Sequence, residues 1–70
     1  MMSTQADKLK ALGYEASPAE IRRFQQDYNR MGPERLIAAS GRIDAETEKA
    51  LDLAHQSKAV FVLVREQGGR

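Results

Sequence analysis

Seventy residues, no cysteine and a formal charge of +1 leave room for one modest core held by packing alone, without disulfides or thiolate metal sites. The near balance of basic and acidic residues weighs against bulk attraction to nucleic acid, and so short a chain has little room for an enclosed active-site cavity. The amino terminus, Met-Met-Ser-Thr-Gln-Ala-Asp-Lys, lacks a basic region followed by an apolar run. Neither a signal peptide nor a membrane span is therefore expected, and the chain is expected to be cytoplasmic at synthesis, with later association with a virion or release to a cell wall left open.

Met1 to Thr4 read as a frayed start, with Ser3 or Thr4 as the cap of a first helix over Gln5 to Leu12. Ala6, Leu9 and Leu12 supply its apolar spacing. Gly13 suits the left-handed residue that ends such a helix, and Tyr14 after it can fold back onto the bundle. The best-marked element follows. Ser17 caps it, Pro18 fits its first position, Glu20 stands where a capping box needs it, and Gly32-Pro33 stops it. Ile21, Phe24, Tyr28 and Met31 recur at three, four and three residues and form one inward stripe, so this is the central helix of a bundle. Its polar face carries Arg22, Arg23, Gln26, Asp27, Asn29 and Arg30, with Arg23 and Asp27 spaced for an ion pair.

The segment Glu34 to Ala39 is expected to form a single turn or a packed loop in which Leu36 and Ile37 close one end of the core. Ser40-Gly41-Arg42 then reads as a turn and Asp44 as the cap of a third helix from Ala45 to about Ser57. Glu46 and Glu48 near its start suit the helix dipole. Ile43, Thr47, Ala50, Leu51 and Ala54 make its inward stripe, with Thr47 contributing mainly its methyl group.

These fragments in this order carry a resemblance. Leu9-x-x-Leu12-Gly13-Tyr14, Ile21-x-x-Phe24-Gln25 and Gly41-x-Ile43-Asp44-x-x-Thr47-x-x-Ala50-Leu51 resemble, over residues 9 to 54, the peptidoglycan-binding domain appended to bacterial and phage cell-wall hydrolases. The resemblance implies a compact three-helix domain and a groove for cell-wall peptide. Two departures stand beside it. Glu15-Ala16-Ser17-Pro18 replaces the Gly-x-x-Gly-x-x-Thr turn that most members carry before the middle helix, and the loop from Asn29 to Arg42 is longer than the usual link.

The resemblance ends before Ala59-Val60-Phe61-Val62-Leu63-Val64, a continuous apolar run that periodicity alone cannot assign to strand or helix. One reading continues the third helix or lays the run against the bundle, over Leu53 and the end of the first helix. The other docks Val60, Phe61, Val62, Leu63 and Val64 on a partner protein.

Catalysis is not expected, because no nucleophile and base pair stands out. Glu48, Asp52 and His55 share a helix face and could in principle offer a metal three ligands, but a solvated surface is the simpler account, and no metal or cofactor is expected. Three short helices with Arg22, Arg23 and Arg30 on the middle one have the outline of a DNA-binding fold. The third helix, however, opens Asp44-Ala-Glu-Thr-Glu and would repel phosphate, so nucleic acid is not expected as a partner.

The sequence thus reads as an all-α, three-helix domain over residues 1–58 with a tail over 59–70. The expected function is non-catalytic recognition of peptidoglycan stem peptide through a shallow groove, with Tyr14, Gln25, Tyr28, Asn29 and Arg42 as candidate ligand-binding residues. Arg42 is the candidate for a peptide carboxylate, and Gln25 and Tyr28 have a structural reading beside the ligand-binding one. The alternative is an adaptor or structural subunit of a phage tail, a secretion machine or another larger assembly, or a separable piece of a hydrolase, that keeps the fold and docks through its tail.

Overall fold

The computed structural model describes residues 4–33 and 35–68, and within them the chain is all-helical: α1 (Gln5–Ala11), α2 (Pro18–Arg30), α3 (Ala45–Gln56) and α4 (Lys58–Gly68). The expectations for Met1, Met2, Ser3, Glu34, Gly69 and Arg70 lie outside the described residues. The radius of gyration, 10.9 Å, matches the ~11 Å of a folded 70-residue domain. All four helices belong to one body.

Local signals place three of the helices. Thr4 is the cap of α1, where its hydroxyl accepts from the Asp7 amide and the Asp7 carboxylate accepts from the Thr4 amide. Ser17 accepts from the Glu20 amide at the start of α2, and Asp44 accepts from the Thr47 amide at the start of α3. That second bond holds the Asp44 carboxyl below its ordinary value, as expected for a carboxylate at a helix N-terminus. At the end of α1, Gly13 takes φ +93°, so its amide bonds to the Lys10 carbonyl and the Tyr14 amide to the Leu9 carbonyl, 2.8 Å away. This pair of bonds turns Tyr14 back into the bundle.

The tail is the main correction to a three-helix reading. It is neither a strand nor a continuation of α3, because Ser57 leaves helical geometry (φ −112°, ψ 43°) and the run from Lys58 forms a helix of its own. Within the described residues there is no strand for the run to pair with. An extended segment there would leave its amides and carbonyls without partners, whereas a helix satisfies them internally. The helix also does not cover Leu53, which stays 56% exposed.

All four aromatic side chains meet at Phe24 on α2. Tyr14 packs edge-on at 5.7 Å between ring centroids, Phe61 lies tilted at 5.7 Å, and Tyr28 at 6.1 Å. Leu9, Leu12, Ile37, Ala50, Leu51 and Ala54 complete the buried core, with Ile21, Met31, Ile43 and Val62 packed against it. Phe61 is therefore part of the core and not of a free docking face. Val60, Leu63 and Val64 remain exposed.

The core assignment of α4 has a direct test. Phe61→Ala should destabilise the domain by about 3–5 kcal/mol, the usual cost of removing a core phenylalanine, and Val60→Ala by no more than about 0.5 kcal/mol. Urea unfolding followed by circular dichroism measures both. Equal losses would show that α4 is not held by Phe61.

Candidate functional site

The side chains with chemistry to offer fall on two sides of α2. At 100° per residue, Arg23, Asp27 and Arg30 share one stripe, while Gln25 and Asn29 project on nearly the opposite side. Phe24, Tyr28 and Met31 lie between them, facing the core.

On the Gln25 side the hydrogen bonds are internal. The Gln25 side chain is fully buried; its amide nitrogen donates to the Arg42 carbonyl and to the Thr47 hydroxyl, each at 2.9 Å, and its oxygen accepts from the Gly41 amide at 2.9 Å. One side chain thus ties α2, the turn and α3 together. Thr47 contributes its hydroxyl as well as its methyl group, which corrects the sequence reading. Gly41 has φ +80°, and a Cβ there would stand 3.0 Å from the Pro18 carbonyl, so the turn sits directly on the start of α2. Asn29 works in the same manner. Its amide donates to the Ile37 carbonyl at 2.7 Å and its oxygen accepts from the Ile37 amide at 2.8 Å, pinning the long loop to α2.

On the other side lies a polar cleft. Tyr14 is 3% exposed, and its hydroxyl donates to Asp27 at 2.5 Å. The other Asp27 oxygen accepts from Arg30, and the carboxylate is buried, as a charge can be when it is paired and hydrogen-bonded. The expected Arg23–Asp27 pair is not formed. Arg23 instead approaches Glu20 at 3.5 Å, because Asp27 turns inward to Tyr14. From α4, the Arg65 guanidinium donates to the Leu12 carbonyl at 2.6 Å and lies over the rings of Tyr14 (5.1 Å) and Phe61 (5.8 Å). These groups surround a cleft of about 360 Å³ between the Gly13–Tyr14 turn, α2 and the last turns of α4.

The five candidate ligand-binding residues therefore do not converge on one groove. Tyr14 belongs to the cleft. Gln25 and Asn29 hold backbone on the far side of α2, and Tyr28 is half-buried against Phe24. Arg42 is exposed on the turn, where its carbonyl serves Gln25. The sequence reading missed Asp27, Arg30 and Arg65 as a group. Arg23, Asp27 and Arg30 at i, i+4 and i+7 were legible as one helix face, but nothing local in the sequence brings Arg65 to it.

Among the described residues no group of three His, Cys, Asp or Glu side chains is arranged to hold a metal, and Asp52 of the Glu48–Asp52–His55 face is paired with Lys8. No helix of the described residues is long and apolar enough to cross a membrane. No family model, curated protein or solved structure matches the chain.

Two outcomes follow from these contacts. Burial, then the bond to Asp27, pushes the Tyr14 phenol up from 10.0 to about 12. Since the folded value lies above the unfolded one, the stabilisation is complete below pH 10 and is lost as pH rises toward 12. In a Tyr28→Phe background, near-ultraviolet tyrosinate absorbance should appear only near pH 12. Tyr14→Phe should flatten the alkaline loss of melting temperature, and ionisation of Tyr14 near pH 10 would contradict the buried pairing. Separately, Gln25→Leu should cost about 1–3 kcal/mol for each buried partner left unpaired, and its effect should be non-additive with Thr47→Val in a double-mutant cycle by urea unfolding.

Proposed function

We propose that the chain is a non-catalytic binding module of the peptidoglycan-binding type, attaching to the bacterial cell wall through stem peptides. One observation carries this reading: the three sequence fragments behind the resemblance are bonded or packed to one another. Gln25 of Phe24-Gln25 bonds to Gly41, Arg42 and Thr47 of the turn fragment, and Tyr14 of Leu12-Gly13-Tyr14 packs on Phe24. Each fragment supplies partners that the others need, which is what a shared structural motif requires.

A second reading, an adaptor or structural subunit of a larger assembly, has its own support. Leu53 on α3 and Val60 and Leu63 on α4 are 56%, 61% and 56% exposed, an apolar surface that a partner protein would cover.

Co-sedimentation of the folded protein with purified peptidoglycan sacculi, at low and high salt and beside duplex DNA, separates the two. Sedimentation that survives high salt is expected for wall binding, since attraction by charge alone fades with screening. Arg42→Ala locates the contact: weaker sedimentation at unchanged helicity would place Arg42 in it, and unchanged sedimentation would remove Arg42 from it. A folded protein that stays in the supernatant would overturn the wall reading in favour of the adaptor.

A further inference from the structure

The side chains of Gln25 and Asn29 are consumed by the domain's own backbone and by Thr47; the cleft beside Tyr14 is different. Three guanidinium groups, Arg23 and Arg30 from α2 and Arg65 from α4, line it. Each carries five N–H donors in a planar fork. Arg30 spends a donor on Asp27, Arg65 spends one on the Leu12 carbonyl, and Arg23 makes a 3.5 Å contact with Glu20 while its side chain stays 65% exposed. The three guanidinium groups that line the cleft therefore keep donors beyond those spent within the domain. Both oxygens of Asp27 already accept, one from Tyr14 and one from Arg30.

We infer that this cleft is a binding site for the terminal carboxylate of a peptide, held by Arg23, Arg30 and Arg65. The assignment deepens the wall-binding reading and rests on it for the source of the peptide. Three features favour this ligand class. The Arg65 fork is held in place by the Leu12 carbonyl and by the faces of Tyr14 and Phe61, so little freedom is lost when it engages a planar carboxylate through two parallel hydrogen bonds. The volume, about 360 Å³, lies at the lower end of small-ligand sites and suits a peptide terminus, not a long chain. Asp27 and Glu66 also line the cleft, so its formal excess is a single positive charge from three arginines against two carboxylates. That balance suits a monoanion and disfavours a phosphate dianion. Glu66, exposed at the rim, in addition provides an acceptor for the amide N–H next to the terminus.

The site includes α4, which lies outside the stretch of chain that carries the family resemblance. Recognition by this cleft would thus belong to this chain's own tail. It would not involve Arg42, which stands on the turn that Gln25 secures on the opposite side of α2.

The test is a nuclear magnetic resonance titration of the full chain with N-acetyl-alanyl-alanine, in its D,D and L,L forms, beside its C-terminal amide and beside inorganic phosphate. The free carboxylate should shift the side-chain resonances of Arg23, Arg30 and Arg65 and the amides of Gly13 and Tyr14. The amide should shift them little, and phosphate should bind more weakly. Arg23 is exposed and remote from the core, so Arg23→Gln should fold normally and weaken the carboxylate roughly threefold to tenfold. Arg65→Lys, which keeps the charge and loses both the fork and its place on the Tyr14 and Phe61 rings, should weaken it similarly with a lower melting temperature, so Arg23→Gln is the variant that reads binding apart from stability. Equal binding of acid and amide, tighter binding of phosphate, or shifts elsewhere on the domain would overturn the assignment. If sacculi sediment the protein while the dipeptide acid leaves the cleft unshifted, the cleft falls and wall binding stands. If the acid binds in the cleft but sacculi do not sediment the protein, the wall reading falls and the cleft remains as a carboxylate site for another peptide.

Discussion

The fold depends on one buried amide. Gln25 has no exposure to water and meets it nowhere, so each of its polar atoms must find a partner inside the protein or cost stability. It finds three: the Gly41 amide, the Arg42 carbonyl and the Thr47 hydroxyl. The turn from Ser40 to Ile43 has no regular structure to satisfy its backbone, and Gln25 does so from the neighbouring helix. The turn in turn orients Asp44, whose carboxylate starts α3. A single side chain therefore couples the placement of two helices to the geometry of the loop between them. Phe24, one residue earlier, gathers the other three aromatic rings. Adjacent positions on α2 thus supply the apolar centre of the domain and its polar fastening.

The opposite side of α2 shows a different use of buried polarity. Asp27 keeps its charge out of water because Tyr14 and Arg30 both donate to it, and Tyr14 reaches that position because Gly13 reverses the chain after α1. Arg65 then rests on the aromatic face that Tyr14 presents and donates one arm of its fork to the end of α1. The fastening by Gln25 uses up the capacity of its groups. The network at Asp27 leaves arginine donors facing solvent, and this is why the two sides of one helix differ in what they can bind.

α4 links these themes. Its Phe61 enters the core, its Arg65 completes the cleft, and its Val60 and Leu63 stay outside. An apolar run that would be a hazard as an exposed strand is made safe in part by helix formation and by the burial of one of its six residues, Phe61. What stays exposed is the surface on which the adaptor reading rests.

How much of this was legible in the chain varies with the range of the interaction that decides it. Helix starts and ends at Thr4, Gly13, Ser17, Gly32 and Asp44 follow from bonds made within a few residues, so composition and spacing carry them directly. The inward stripe of α2 is likewise a matter of helical period. The candidate ligand residues fared differently because an amide side chain reads the same whether it meets a ligand or a backbone group. For Gln25 and Asn29 the partners lie 8 to 22 residues away, and only folding brings them near. The sequence by itself determined the all-helical class, the boundaries of the first three helices and the central place of Phe24, since each depends on local hydrogen bonding or periodic burial. Only the tertiary structure decided that the tail becomes a fourth helix, that Asp27 turns from Arg23 to Tyr14 and Arg30, and that Arg65 crosses 53 residues of sequence to reach Leu12. Those outcomes depend on which surfaces and charges the packed core leaves within reach, and no local pattern encodes that.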